Sequence, residues 1–285
     1  MPYQVFAPNS HNANMNEVRL LSVDFDGTLI RDWAPPPFPQ ALVRALNRLR
    51  EHGVSIALNT GRTVHLVEQG LEHTGFPIRP DFALTTEREV FRWTDSGWQD
   101  FGEWNARCLE DHGILYGKIE GLLREIEAYV ERETGARTYR EEGQFAGIVA
   151  RSNPEMDAIT RFIDERRGAF PEFAYQRNSI YLRFCHVAYH KGAALAELQR
   201  LLGVSTDETF AAGDNFNDLS MLDGAFARFV ACPSNAIEEV KATVRKQGGF
   251  VASQDSGAGI AEALDHFFPH LIRIPSLSGT DDGGS

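Results

Sequence analysis

Short apolar runs alternate along this chain with stretches whose apolar positions recur every three or four residues. Leu20-Leu21-Ser22-Val23 is one such run. Gly27 and Pro35-Pro36-Pro37 follow it, so it reads as a buried strand that exits into a loop. Leu42, Ala45, Leu46 and Leu49 then keep helical spacing as far as Gly53, which stands where a C-cap belongs. Val54-Ser55-Ile56-Ala57-Leu58 predicts a second buried strand, a helix from about Thr63 to His73 follows, and Phe82-Ala83-Leu84 predicts a third strand. Strand, helix, strand, helix, strand is the signature of a doubly wound parallel sheet. The same grammar returns at the far end. Leu195, Leu198 and Leu202 mark a helix closing at Gly203; Thr209-Phe210-Ala211-Ala212 and Phe229-Val230-Ala231 read as short strands. Ile237, Val240 and Val244 share a helix face with Ser234 near its start, and a last helix runs from about Ile260 to Phe268.

Between these halves the texture changes. A helix from Glu120 to Glu133, strands near Ala136 to Tyr139 and Phe145 to Ala150, a helix from Pro154 to Arg167, and strands near Phe173 to Gln176 and Ile180 to Phe184 make an α+β pattern. The predicted fold class is therefore α/β, a doubly wound, Rossmann-like core with an inserted α+β domain. Residues 17–101 and 185–274 form the core in this division, and residues 102–184 form the insert. The first 16 residues and the tail 275–285 are expected to be disordered. Trp93, Trp98 and Trp104 follow the third strand closely, and hairpin and inter-domain packing accounts for them.

Composition narrows the class. The chain has 285 residues, 42% apolar and 24% charged, as a globular protein of one large or two modest domains would. Its net charge of -12, with no Lys/Arg block, argues against nucleic acid as a partner. Cys108, Cys185 and Cys232 are too few and too scattered for a disulfide framework or a paired zinc motif. No run approaches the roughly 20 apolar residues of a membrane span, and the start lacks a signal-peptide layout. The expectation is a cytoplasmic protein with no membrane association.

The chemistry concentrates where strands end. Asp24-Phe25-Asp26-Gly27-Thr28 places two carboxylates two residues apart at the exit of the first strand. Strand alternation puts both on one face at the sheet's carboxyl edge, where open α/β sheets bind ligands. Two ionised carboxylates so close repel unless a cation or a shared proton relieves them, which suggests a divalent metal. Thr60-Gly61-Arg62 follows the second strand, and a hydroxyl beside a glycine amide suits phosphate. Lys191-Gly192 opens a helix, where ammonium and helix amino end together neutralise an anion. Gly213-Asp214-Asn215-Phe216-Asn217-Asp218 sets two acids four apart after an apolar strand, hard oxygen donors of the kind Mg²⁺ takes.

Jointly these four sites resemble, in order, the four motifs of the haloacid dehalogenase-like superfamily of phosphatases. Gly213-Asp214 through Asp218 and Met221, with Ser234-Asn235-Ala236 beyond, look most like the class IIB, Cof-type branch. Spacing agrees with that branch. Only a short loop fits between Thr28 and the helix near Pro39, whereas Thr60 and Lys191 are 131 residues apart, which places a cap domain in the second insertion position.

The resemblance implies that Asp24 attacks phosphorus to form an aspartyl-phosphate, and that Asp26 protonates the leaving alcohol and then activates water. It implies Mg²⁺ held by Asp24, the backbone carbonyl of Asp26 and Asp214, with Asp218 either binding the ion or standing directly behind its ligands, and phosphoryl oxygens held by Thr60, Gly61, Lys191 and Asn217. Asn215 would support the metal loop. Substrate choice would lie in the cap, with Tyr139, Arg140, Arg177, Asn178, Tyr181 and Arg183 as candidates, since Arg and Tyr suit hydroxyl-rich anions. His186 and His190 are four apart, but the strand pattern before them disfavours a zinc pair. The activity this implies is Mg²⁺-dependent hydrolysis of small phosphorylated metabolites, sugar phosphates foremost. A phosphomutase or phosphotransferase on the same scaffold, and a non-catalytic phospholigand sensor, stay open beside it. Oligomeric state is not legible.

Overall fold

The computed structural model describes residues 18–31, 35–141 and 143–273. The two terminal stretches expected to be disordered, 1–16 and 275–285, lie outside the described residues. The chain opens with β1 (Leu20–Val23), α1 (Gln40–Glu51), β2 (Ser55–Asn59), α2 (Val64–Thr74) and β3 (Phe82–Thr85). A hairpin of β4 (Glu89–Thr94) and β5 (Gly97–Asp100) leads to α3 (Trp104–Lys118). The middle holds α4 (Glu120–Glu133), β6 (Arg137–Glu141), β7 (Gln144–Val149), α5 (Asn153–Asp164), β8 (Phe173–Asn178) and β9 (Tyr181–His186). The chain then adds α6 (Lys191–Leu202), β10 (Thr209–Ala212), α7 (Leu219–Leu222), β11 (Phe229–Cys232), α8 (Glu238–Lys246), β12 (Phe250–Val251), α9 (Ser256–Phe267) and α10 (Pro269–Ile272).

Two sheets result. The larger has eight strands in the order β12-β11-β10-β1-β2-β3-β4-β5, parallel from β12 to β3 and antiparallel across the β4–β5 hairpin. β1 is fully buried because helices cover both faces, which is why its sequence is a continuous apolar run. On one face α1 turns Leu42, Val43, Ala45, Leu46 and Leu49 inward against α9. On the other, Leu195 and Leu198 of α6 join Val240 and Val244 of α8. Each fully buried Leu contributes roughly 1.5–3 kcal/mol, so Leu46→Ala would cost about 2–5 kcal/mol once the cavity is counted.

The smaller sheet, in the order β6-β7-β9-β8, is antiparallel, with α4 and α5 packed on one face around Ile126, Ile148, Ile159 and Phe184. Trp93 and Trp98 face each other across the β4–β5 hairpin with ring centroids 5.2 Å apart. α3 is an element that periodicity did not reveal. Gly113 and Gly117 interrupt it and only Cys108, His112 and Leu115 are buried, so its apolar stripe is thin. Among the described residues no helix is long and apolar enough to cross a membrane.

Candidate active site

β1 lies between β10 and β2, with Val23 in register with Ala212 on one side and Leu58 on the other. The three strands therefore end together, and the residues that follow them meet at one edge. Asp24 is buried there, its backbone N–H donating to Ala212 O at 2.9 Å. Asn59 ends β2 and donates from Nδ2 to Ser22 Oγ at 3.2 Å and to Lys191 O at 3.1 Å, tying the start of α6 to the same edge. His190 caps α6, its ring accepting from Ala193 N, and Lys191 points inward from the first turn.

Lys191 is fully buried, and its Nζ donates to Asp24 Oδ1 at 2.7 Å and to Asp218 Oδ1 at 2.6 Å. The other oxygen of Asp218 accepts the backbone N–H groups of Asp214 and Asn215 at 2.8 and 2.9 Å, closing the loop on itself. Asp214 accepts from Thr28 Oγ1 at 2.7 Å. Gly27 sits between them with φ 80°, and a Cβ there would stand 2.8 Å from Asp214 Oδ2, so both conformation and space require glycine. Asn235 donates to Gly27 O at 2.9 Å and accepts from Ser256 N at 2.7 Å, which pins the turn from behind.

Asp24, Asp214 and Asp218 each offer a carboxylate oxygen within 4.8 Å of the others. Three carboxylates against one ammonium leave two negative charges in a site of low polarity, the charge a divalent cation supplies. The electrostatics show the deficit. Burial, and then the neighbouring Asp218 and Asp214, push the Asp24 carboxyl well above the usual range, with Lys191 offsetting only part. Asp214 is raised to about 7, by burial first and by Asp218 next, against the opposing bond from Thr28. Burial works against the Lys191 ammonium, but Asp218, Asp24 and then Glu87 outweigh it and hold the group protonated. The donor set is all hard oxygen, as Mg²⁺ prefers.

Asp26 stands apart from this group. Its two oxygens accept from Arg62 Nε and Nη2 at 2.7 and 2.6 Å, a bidentate pair that fixes the carboxylate in the lining of a cavity of about 510 Å³. Thr60 and Gly61 line the same cavity, and so does Asp24. Asn217 is buried and gives its Nδ2 to Glu87 Oε1 at 2.7 Å.

The smaller sheet supplies the opposite wall. Tyr139 of β6, Gln176 and Asn178 of β8, and Tyr181 and Arg183 of β9 line the cavity, with Ser179 at the turn. Gly147 makes this possible on β7, since a Cβ there would stand 2.4 Å from Tyr139 Oη. Strand alternation separates the remaining cap candidates from the cleft. Arg140, next to Tyr139, lines a different cavity beside α4 and pairs with Glu127 at 2.5 Å. Arg177, next to Asn178, pairs with Asp157 at 2.5 Å and lies over the Phe216 ring at 4.9 Å, outside the residues that line the cleft. The cap turn also touches the loop that carries Asp214 and Asp218, Ser179 N donating to Asn215 Oδ1 at 3.2 Å.

Sequence reasoning passed over Thr28, the Asp26 partner role of Arg62, Ser179 and Glu87. Glu87 had a usable signal: it follows the third strand at the carboxyl edge, where the other functional turns lie.

A family model described as haloacid dehalogenase-like hydrolase matches residues 130–264. A phosphoglycolate phosphatase of Methanoculleus marisnigri is 26% identical over 257 residues, which cover 90% of this chain and 99% of that one. The solved sucrose-phosphatase of Synechocystis sp. PCC6803, in complex with sucrose and phosphate, shares the fold at 21% identity, with a TM-score of 0.64 over 88% of this chain and 98% of that one. A subclass IIB sugar phosphatase of the same superfamily does so at 18% identity, with a TM-score of 0.56 over 88% of this chain and 99% of that one. The chain, a doubly wound core with an acidic edge and an α+β unit between β5 and α6, is thus similar in sequence to the haloacid dehalogenase-like hydrolases over residues 130–264 and similar in fold to these solved phosphatases.

Proposed function

We propose that the protein is a Mg²⁺-dependent phosphomonoesterase of small phosphorylated metabolites, sugar phosphates foremost. The observation that carries this reading is the meeting of Asp24, Lys191, Asp214 and Asp218 at one buried edge, with Asp26 lining the adjoining cleft. Asp24, Asp214 and Asp218 would hold the ion with the backbone carbonyl of Asp26, and the ion when bound would neutralise charge on the phosphoryl group. A carboxylate oxygen of Asp24 attacks phosphorus as the ester P–O bond breaks, giving an aspartyl-phosphate. Asp26, once it leaves the Arg62 pair and carries a proton, gives that proton to the departing alkoxide, then as a carboxylate takes one from the water that attacks the aspartyl-phosphate and releases inorganic phosphate. Lys191 and the Thr60-Gly61 turn hold phosphoryl oxygens in both steps, and Lys191 also keeps the Asp24 carboxylate in place.

Support for a hydroxyl-rich leaving group comes from the cleft wall. Tyr139, Gln176, Asn178, Ser179 and Arg183 are all hydrogen-bonding groups, and a neutral polyol can satisfy them without a charge partner of its own. The test is hydrolysis of an aryl phosphate with and without Mg²⁺. Wild type should turn over only with the ion, and Asp24→Asn should lose on the order of 10⁴-fold or more in kcat. Metal-independent turnover, or an active Asp24→Asn variant, would overturn the reading.

A further inference from the structure

The β3–β4 turn carries a carboxylate that the mechanism above does not use. Glu87 is 5% exposed, lines the active-site cavity, and follows Thr86 in the left-handed region, with φ 49° at Thr86 and 66° at Glu87. Non-glycine residues seldom adopt that conformation, and consecutive examples at a site edge persist only where surrounding bonds impose them. Here they do. Thr86 N donates to Arg62 O at 2.9 Å and Glu87 N to Thr60 O at 3.1 Å, so the turn is laced onto the Thr60-Gly61-Arg62 turn. The Glu87 side chain passes beneath Gly61, where a Cβ would stand 3.2 Å from its Oε1, and that oxygen takes the Asn217 amide at 2.7 Å. Glu87 Oε2 and Asn217 Oδ1 are both buried with no partner among the described residues.

A primary amide is nearly symmetrical in shape, so its partners decide which end faces which way. A carboxylate only accepts, and Glu87 therefore admits the Asn217 NH₂ and excludes its carbonyl. Asn217, in the loop that carries Asp214 and Asp218, reaches through Glu87 to the Thr60-Gly61 turn, so that choice would decide whether a donor or an acceptor is offered to a phosphoryl oxygen held there. We propose that Glu87 is a positioning residue that fixes the orientation of the Asn217 amide, so that the second N–H of Nδ2 is kept for the phosphoryl group. The inference rests on the phosphoryl reading of the site and adds a residue to it. Lys191 and Arg183 are the cations that face Glu87 from α6 and β9, and Tyr139 faces it from β6.

Glu87→Gln keeps the shape but lets either end of the Asn217 amide bind. Titration calorimetry of inorganic phosphate with Mg²⁺ present, on wild type, Glu87→Gln, Asn217→Ala and the double variant, forms a complete cycle. Glu87→Gln is expected to weaken phosphate about tenfold, to raise KM more than it lowers kcat, and to have no further effect once Asn217 is Ala. Additive losses in the double variant, or a Glu87→Gln protein that binds phosphate as wild type does, would overturn the proposal. A wild type that binds no phosphate removes the phosphatase reading itself, which separates the two failures. If Gln lowers the melting temperature so far that the protein cannot be titrated, Glu87→Asp, which keeps the acceptor on a shorter arm, takes its place in the same cycle.

Discussion

The two walls of the cleft are built to opposite rules. On the core side the functional groups are ionisable, buried and cross-paired: Lys191 and Asp218 have no exposed surface, and the side-chain bonds of each go to other members of the site. On the cap side they are half-exposed and hydrogen-bonding, carried at alternate positions of strands whose other face packs on α4 and α5. The proposed function accounts for the difference. Phosphoryl chemistry needs fixed charges in a site that excludes water, where electrostatic stabilisation is strongest. Selection among alcohols needs surface that can change without disturbing those charges.

Removing a buried charge should therefore cost far more than removing a cap side chain. Lys191→Met leaves Asp24 and Asp218 facing each other without their ammonium, and breaking one side of a buried pair typically costs about 3–5 kcal/mol. The metal-free variant should melt well below metal-free wild type, and kcat/KM should fall by roughly 10²–10³-fold as phosphoryl stabilisation is lost. Mg²⁺ should recover more melting temperature in the variant than in wild type. Melting curves and initial rates check both halves, and near-normal activity in Lys191→Met would break the contrast at its strongest point.

The same charges make the core side sensitive to pH in a defined direction. Burial, and then repulsion from Asp218, raise the Asp214 carboxyl from 3.8 to about 7 in the metal-free fold. The native state then holds a proton that the unfolded chain has released, so this group's contribution is present below the unfolded value and is lost as pH rises through the folded one. Metal-free protein should lose melting temperature as pH rises towards about 7. Mg²⁺ binding must displace that proton, so affinity should tighten about tenfold from about pH 6 to about pH 8. Calorimetry in two buffers of different ionisation enthalpy would detect the proton released. A pH-independent affinity would mean that Asp214 is already ionised before the ion arrives.

The core side was also the more legible. Asp24 and Asp26 could be placed because two acids after an apolar run, followed by a glycine turn, require something positive nearby. Thr60 and Asp214 could be placed because each follows a core strand at the same edge, and Lys191 because it opens a helix. What sequence could not show is pairing across the chain. Nothing local says that Arg62 grips Asp26, or that Thr28 bonds Asp214. Glu87 had its place after the third strand as a signal, but its conformation had none. Left-handed turn positions are usually marked by Gly or Asn, and Thr86-Glu87 carry neither, so strain supported by tertiary bonds had no local sign. On the cap side the strands were readable but their facing was not, and an irregular register between Tyr139 and Arg140 adds to the difficulty.

The cap candidates offer the finest test of the contrast, because two arginines of the same small sheet sit on opposite sides of it. Arg183 lines the cleft, pairs with Glu141 at 3.1 Å through Nη2, and has Nη1 buried without a partner among the described residues. Arg140 is spent on Glu127, beside α4. A hydrogen bond from a charged donor contributes about 1.5–3 kcal/mol, so Arg183→Ala should raise KM for the preferred ester by about tenfold or more. Its effect on an aryl phosphate, which has no hydroxyls to engage the wall, should be smaller. Arg140→Ala, a surface change away from the cleft, should stay within about twofold on either substrate, since such substitutions usually shift energies by no more than about 0.5 kcal/mol. Equal losses from the two variants would show that the cap wall contributes bulk rather than specific bonds, and that the core side alone sets which esters are accepted.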